Sequence, residues 1–230
     1  MKKTIFIACD TNNINFAKKI IKDTNTKKLN IGYKFGLEFF NSKKGRSFIS
    51  GLNKNIIVWA DLKFMDIPNT VRSAIHSLKD LKNLNYLTIH AAGGLEMMIA
   101  AKKAAKKTNK KLKILGVTIL TSLAKSSLKK TGHTKSINAL VVQQAKLAKQ
   151  AGIDGIVCSG LEVKLVKKIC KKMEIVTPGV RLPGDKTQDQ KRIVSPQMAF
   201  ENEATAIVIG RSITSGNIRK NINKLINSLK

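Results

Sequence analysis

Residues 56–70, IIVWADLKFMDIPNT, decide how this chain folds. The first five residues of the stretch are apolar and β-prone, which predicts a buried strand. Pro68 suits the first turn of a helix, where its missing N–H is harmless. The stretch therefore predicts a strand, a short loop and the start of a helix, the unit from which α/β folds are built.

The same unit recurs eight times along the chain. Strands are predicted at residues 4–9, 30–35, 56–63, 86–90, 113–119, 155–158, 174–177 and 206–209. Helices are predicted at residues 12–24, 38–52, 68–82, 94–107, 137–151, 161–172, 196–203 and 215–229. Eight such units predict a (β/α)8 TIM barrel, with residues 1–230 as a single domain.

A doubly wound open sheet is the alternative fold. That fold usually carries a Gly-rich phosphate loop after its first strand. Here the same position reads Asp10-Thr11-Asn12-Asn13, without glycine. The barrel is therefore the favoured architecture.

The composition limits which classes of partner the protein is expected to bind. The net charge is +29, but the lysines are spread along the chain and only 5% of residues are aromatic. A dedicated nucleic-acid binder concentrates its charge and interleaves aromatic residues, so we expect no nucleic-acid partner. A basic surface can still steer an anionic substrate towards a site.

Cysteine usage and hydropathy predict the compartment. Three cysteines without close pairs suit a reducing, cytoplasmic location. The apolar run at the start ends at Asp10, which predicts a strand and not a signal peptide. No segment is long enough to span a membrane, so no membrane partner is expected.

Charged side chains mark the end of the third predicted strand. Asp61 and Lys63 are two residues apart, so they share a face with Cα atoms about 6.6 Å apart. Asp66 follows on the loop, and Lys34 lies on the second strand. A network of these alternating charges can keep Lys63 protonated in a partly desolvated site, and a protonated lysine is a general acid.

A phosphate site is predicted after the last two strands. Arg181 follows strand seven and Gly210-Arg211 follows strand eight, where barrel enzymes often bind phosphate. Two guanidiniums there can converge on one anion. No His, Cys, Asp and Glu cluster has the spacing of metal ligands, so no metal is expected.

At these residues the sequence closely resembles the bacterial form of the orotidine 5′-phosphate decarboxylases. The stretch from Asp61 to Thr70 carries the resemblance, because its D-x-K-x-x-D core continues as Ile67-Pro68-Asn69-Thr70. Further matches are Ala8-Cys9-Asp10, Tyr33-Lys34-Phe35-Gly36, His90-Ala91-Ala92-Gly93-Gly94, Thr177-Pro178-Gly179-Val180-Arg181, Asp189-Gln190 and Ile209-Gly210-Arg211-Ser212-Ile213. These pieces are spread along most of the chain, from Ala8 to Ile213.

The resemblance implies a cofactor-free decarboxylation of orotidine 5′-monophosphate to uridine 5′-monophosphate by a homodimer with shared active sites. It implies that Lys63 protonates C6 of the pyrimidine, and that Asp61 and Asp66 flank the departing carboxylate. Asp66 and Thr70 would come from the partner subunit. The remaining implied contacts are Asp10 and Lys34 with the ribose, Thr121 with the pyrimidine, Pro178 with the pocket wall, and Arg181, Gln190, Gly210 and Arg211 with the phosphate.

One residue departs from the pattern of the family, which commonly has His where this chain has Met65. We assign Met65 no chemical role and expect it to change only local packing near the dimer interface. A related sugar-phosphate lyase or decarboxylase with the same D-x-K-x-x-D core is the rival interpretation. Such enzymes usually need a divalent metal held by extra acidic residues, and Tyr33, Lys34 and Met65 supply none.

Overall fold

Eight parallel strands close into a barrel in which each strand pairs with the next one along the chain and β8 pairs with β1. The structure is a computed structural model that describes residues 3–185 and 192–229. The strands are β1 (Thr4–Ala8), β2 (Asn30–Gly36), β3 (Ile57–Phe64), β4 (Leu84–His90), β5 (Lys113–Val117), β6 (Gly155–Val157), β7 (Glu174–Thr177) and β8 (Ala206–Ile209). The predicted (β/α)8 architecture is confirmed, and the open sheet is excluded.

Helices connect the strands. They are α1 (Ile14–Thr24), α2 (Leu37–Asn41), α3 (Gly45–Ser50), α4 (Pro68–His76), α5 (Gly94–Thr108), α6 (Lys125–Lys130), α7 (Ile137–Gln150), α8 (Val163–Ile169), α9 (Pro196–Glu201), α10 (Arg211–Thr214) and α11 (Ile218–Ser228). A single 3-10 turn, Ala91–Gly93, precedes α5. In the described residues no helix is long and apolar enough to cross a membrane.

The apolar core has two layers, because alternate strand residues point to opposite faces. The larger layer lies between the strands and the surrounding helices. The smaller one fills the barrel and includes Phe6 and Trp59, whose rings meet edge to face with centroids 4.9 Å apart. Gly32 of β2 makes room for this contact, since a Cβ there would lie 2.7 Å from the Phe6 ring. The barrel is thus a packed core whose chemistry is confined to its ends.

Several helices differ from those predicted from the sequence. The helix predicted at residues 38–52 is two short helices, α2 and α3, because the chain turns at Ser42 and Lys44 between them. The Ser42 hydroxyl donates to the Phe39 carbonyl oxygen at 2.7 Å, which occupies an acceptor that a continuous helix would use. The short helices α6 and α10 were not predicted, and the helix predicted at residues 68–82 ends at His76.

Strand β3 carries an irregularity that positions the site. Ala60 pairs with Leu87 of β4 and Phe64 pairs with Ile89, so three residues of β3 lie opposite the single residue Thr88. Lys63, within this bulge, has φ 49°, in the left-handed region that non-glycine residues rarely adopt. The prediction of a regular extended strand is therefore wrong at Lys63.

Candidate active site

A row of four alternating charges crosses the carboxyl ends of β1, β2 and β3. Lys34 Nζ lies 3.1 Å from Asp10 Oδ1 and 3.2 Å from Asp61 Oδ2. Lys63 Nζ lies 2.9 Å from the same Asp61 oxygen. Asp61 thus bridges two ammonium groups, and the predicted meeting of Asp61, Lys63 and Lys34 is found in the structure.

Burial strengthens the interactions within this row. The side chains of Lys34 and Asp61 are only 10% and 8% exposed. Burial alone would lower the pKa of Lys34, but the carboxylates of Asp61 and Asp10 outweigh it and hold the pKa above its ordinary value. Burial alone would raise the pKa of Asp61, but Lys34 and Lys63 outweigh it and hold that pKa below its ordinary value. Both groups therefore stay charged across the neutral pH range.

Thr88, which the sequence analysis missed, holds Asp61 and Lys63 together. Its hydroxyl donates to Asp61 Oδ1 at 2.8 Å and accepts the backbone N–H of Lys63 at 3.1 Å. The residue is fully buried. A small hydroxyl residue between the apolar residues Leu87 and Ile89 of β4 was the available signal. The hydroxyl accepts the Lys63 N–H within the bulge, so a part-buried hydrogen bond offsets some of the strain at Lys63.

These charges border a cavity of about 270 Å³ at the same end of the barrel. Its floor is apolar and includes Trp59, Val117, Val157 and Val208. Its charged lining residues are Asp10, Asp61, Lys34, Lys63, Arg181 and Arg211, so four cations less two carboxylates leave a formal charge of +2. The cavity is therefore suited to an anionic ligand with an apolar face.

Three of the four predicted phosphate residues also line this cavity. Pro178 and Arg181 follow β7, and Gly210 and Arg211 follow β8. Gly179, between the first two, has φ 73°, a conformation that favours glycine. The backbone N–H of Arg181 donates to the Val194 carbonyl oxygen at 3.1 Å, which fixes the loop after β7. Thr121, after β5, also lines the cavity, whereas Gln190 lies outside the described residues.

Asp66 and Thr70 lie outside the cavity of the single chain. Both residues are exposed, Asp66 on the segment that joins β3 to α4 and Thr70 in the first turn of α4. Neither is among the described residues that line the cavity. The Asp66 carboxylate accepts the backbone N–H of Ile67 at 2.7 Å. The second carboxylate of the charge row is therefore Asp10, and the network expected from Asp61, Lys63, Asp66 and Lys34 does not form within one chain.

In residues 3–185 and 192–229, no three His, Cys, Asp or Glu side chains come together as metal ligands. Asp10 and Asp61, the carboxylates nearest to each other in the site, are separated by the Lys34 ammonium.

The barrel and its cavity define a (β/α)8 protein with a positively charged cavity, suited to an anionic ligand, where its strands end. The family model described as "Orotidine 5'-phosphate decarboxylase / HUMPS family" matches residues 3–223. The chain therefore belongs to this family, and the resemblance inferred from the motifs is confirmed.

Individual relatives agree with the family assignment. A protein of Buchnera aphidicola subsp. Schizaphis graminum named Orotidine 5'-phosphate decarboxylase is 42% identical over 200 residues, which are 86% of this chain and 84% of the relative. A protein of the same name from Erythrobacter litoralis is 40% identical over 93% of each chain. The crystal structure of Orotidine 5'-phosphate decarboxylase from Lactobacillus acidophilus superposes with TM-score 0.84 at 31% identity, and covers 98% of each chain.

Proposed function

We propose that this protein decarboxylates orotidine 5′-monophosphate to uridine 5′-monophosphate and CO2, in the synthesis of pyrimidine nucleotides. The observation that carries the proposal is the Lys63 ammonium, 2.9 Å from Asp61 at the mouth of an apolar-floored cavity. Family membership and the names of the relatives support it.

Charge complementarity supports this substrate. Orotidine 5′-monophosphate carries about three negative charges, from its phosphate and its carboxylate. The described lining residues carry a formal charge of +2, with Lys34 and Lys63 at one side and Arg181 and Arg211 at the other. The two anionic groups of one substrate can therefore be bound at the two sides while its flat pyrimidine covers the apolar floor.

Lys63 is the proposed proton donor. The bond between C6 and the carboxylate carbon breaks, CO2 leaves, and the electron pair stays on C6. No carbonyl lies next to C6 to take up this charge, so a fixed cation must stabilise it. Lys63 stabilises the carbanion and then transfers a proton from Nζ to C6, after which it regains a proton from water.

Asp61 is the proposed neighbour of the departing carboxylate. Two carboxylates 4 Å apart repel each other by roughly 4 kcal/mol at an effective dielectric of 20. Phosphate binding far from the reacting carbon can offset this repulsion in the bound substrate, and the loss of CO2 removes it. The shared contacts of Asp61 with Lys34, Lys63 and Thr88 hold the carboxylate in place for this role.

The remaining cavity residues are assigned binding roles on the family pattern. Asp10 and Lys34 contact the ribose, Thr121 the pyrimidine, and Pro178 the pocket wall. The residues assigned to the phosphate are Arg181, Gln190, Gly210 and Arg211. No cofactor takes part in this proposal, since Lys63 supplies both the charge and the proton.

We also propose that two subunits share each site. Asp66 and Thr70 lie on an exposed segment, next to Met65 and Ile67, which are 57% and 66% exposed in the single chain. Exposed apolar side chains beside functional residues favour a protein interface there. A homodimer would bury them and would place Asp66 and Thr70 of one subunit at the cavity of the other.

A cytoplasmic location is also part of the proposal. The three cysteines are free and buried, which suits a reducing compartment.

The proposed function is tested by measuring the ultraviolet absorbance change of orotidine 5′-monophosphate with purified protein and EDTA. Turnover without metal is the expected result, because the proposed chemistry needs only Lys63. Absence of turnover would refute the assignment. Turnover only after addition of a divalent metal would favour the rival class of metal-dependent sugar-phosphate enzymes.

The role of Lys63 is tested by Lys63→Ala. General acid catalysis contributes about 10²- to 10⁴-fold, so kcat is expected to fall by at least that factor. Circular dichroism should show an intact fold, since the Lys63 side chain is 32% exposed and lies outside the apolar core. A near-normal kcat would mean that another group supplies the proton.

A further inference from the structure

A buried ion pair below the loops of the site has no role in the proposed chemistry. Arg192 Nη1 donates to Glu162 Oε1, and the two side chains are only 12% and 3% exposed. Neither residue lines the cavity. Burial raises the pKa of Glu162, although the Arg192 charge opposes the rise.

This pair joins the loops after β6 and β7, on which Glu162 and Arg192 lie, to the loop after β5. Arg192 Nη2 donates to the carbonyl oxygens of Leu120 and Ile119, at 3.0 Å and 3.3 Å, in the loop after β5. Glu162 Oε2 accepts the backbone N–H of Ser159, at 3.1 Å, in the loop after β6. Ile119 and Leu120 line the cavity and precede Thr121.

The third loop follows β7 and is reached through the backbone. Two residues after Arg192, Val194 forms an isolated bridge with Val180. The Val194 carbonyl oxygen accepts the N–H of Arg181, and the Val194 N–H donates to the Gly179 carbonyl oxygen at 3.4 Å. Arg181, on the phosphate side, is thereby tied to the carbonyls that precede Thr121, on the pyrimidine side.

Stability alone does not account for such a pair. Replacing a buried ion pair by apolar residues of similar volume is often neutral or stabilising, because both charges must be desolvated. What apolar residues do not replace is the set of directional bonds to the Ile119 and Leu120 carbonyls and the Ser159 N–H. The distinctive contribution of the pair is therefore the relative placement of the three loops.

We propose that Glu162 and Arg192 are positioning residues, which set the distance between the phosphate side and the pyrimidine side of the cavity. The inference rests on the proposed function, since it assigns the two sides of the cavity to the two parts of one nucleotide. Misplacing a bound substrate by about 1 Å can reduce the rate by about 10²-fold. Loss of the pair should thus impair turnover more than it impairs folding.

The test is the double variant Glu162→Leu/Arg192→Met, which removes both charges together and leaves neither one buried and unpaired. The matched control is Lys102→Met/Asp154→Asn, which breaks another partly buried pair, joined at 2.5 Å, between α5 and the residue preceding β6. The measurements are kcat and KM for orotidine 5′-monophosphate, the Kd of uridine 5′-monophosphate, and Tm. Trp59 is the one tryptophan of the chain and lines the cavity, so its fluorescence can report the Kd.

The expected result is a fall in kcat/KM of at least 10-fold in the double variant, with Tm within a few degrees of the wild type. The control should keep its kcat/KM within about two-fold. Arg192→Lys keeps the charge but loses the fork of donors, so its kcat/KM should fall as well. Near-normal kcat/KM in the double variant, or an equal fall in the control, would overturn the positioning role.

Turnover by the wild type shows separately whether the proposed function itself is wrong. If the wild type does not turn over orotidine 5′-monophosphate, the positioning role is judged by the Kd of uridine 5′-monophosphate alone. A Kd raised at least 10-fold in the double variant and unchanged in the control supports the role. An unchanged Kd, or no binding by the wild type, overturns it.

Discussion

Thr88 shows how one buried hydroxyl can organise a charged site. It contacts the Asp61 carboxylate and the Lys63 backbone, and thereby bridges two residues that belong to the same strand. The left-handed conformation of Lys63 costs about 1–2 kcal/mol. The hydrogen bond that the Lys63 N–H donates to the Thr88 hydroxyl offsets part of that cost and holds the Lys63 backbone beside Asp61. A single residue of β4 therefore determines the geometry of the charge row on β3.

We predict that Thr88→Val lowers kcat/KM by about 10-fold or more, because a hydrogen bond to a charged group contributes about 1.5–3 kcal/mol. The variant has nearly the same shape but leaves the buried Lys63 N–H without its acceptor. It also removes a bond to the ionised form of Asp61, so the pKa of Asp61 rises and the acid limb of the pH–rate profile moves to higher pH. Thr88→Ser keeps the hydroxyl and is the control. Equal rates and pH profiles in both variants would contradict this role.

At the level of elements, the connection from β2 to β3 shows why the hydrophobic pattern alone predicted one helix where the structure has two. The apolar residues of 38–52 follow helical spacing, yet the chain forms α2 and α3 with a corner between them. At this corner Gly45 packs against the backbone of α2, since a Cβ on Gly45 would lie 1.7 Å from the Phe39 carbonyl oxygen. The corner packs Phe39 of α2 and Phe48 of α3 together, with ring centroids 5.4 Å apart.

We predict that Gly45→Ala lowers the free energy of unfolding by about 1–3 kcal/mol, the usual range for overpacking. The Phe39 oxygen belongs to the backbone, so it can move away only if the corner itself shifts. Gly51→Ala is the matched control, because its Cβ would meet nothing nearer than the Ser47 oxygen at 3.6 Å and its φ is −80°. Urea denaturation should show the control unchanged or stabilised by about 0.4–1 kcal/mol. A Gly45→Ala variant as stable as the wild type would refute the packing argument.

At the scale of the whole molecule, the described cavity contains only part of the proposed site. Asp10, Lys34, Asp61 and Lys63 meet within one chain, whereas Asp66 is exposed on the β3–α4 connection. The apolar neighbours of Asp66, Met65 and Ile67, are exposed with it. An isologous dimer through this region would complete two sites at once, since each subunit would donate the residues it receives.

We predict that subunits carrying Lys63→Ala and Asp66→Ala, each nearly inactive alone, regain activity when mixed. In an equal mixture half of the dimers are hybrids, and each hybrid has one site with both native residues. Up to about a quarter of the wild-type activity should therefore return after subunit exchange. Mixing two Lys63→Ala preparations is the control and should restore none. Failure of the hybrid mixture to gain activity would argue for sites built from one chain.

The parts of the site that the sequence predicted are those determined by strand order. Asp61, Lys63, Arg181 and Arg211 follow or end apolar strands, and in a parallel barrel all strand ends meet on one face. Thr88 and the Glu162–Arg192 pair were not predicted, because their roles depend on contacts between distant segments. Arg192 meets carbonyls more than 70 positions away, and no local pattern encodes that contact.

The amino-acid sequence by itself determined the eight strand-and-helix units, the barrel and the residues at its catalytic end, because hydrophobic periodicity and chain order are local properties. Only the tertiary structure decided that Asp10, and not Asp66, is the second carboxylate of the charge row within one chain. The register of β3 against β4 placed three residues opposite Thr88, turned Lys63 into a left-handed conformation and set its ammonium beside Asp61. Register depends on cross-strand packing and hydrogen bonding, which no stretch of sequence specifies alone.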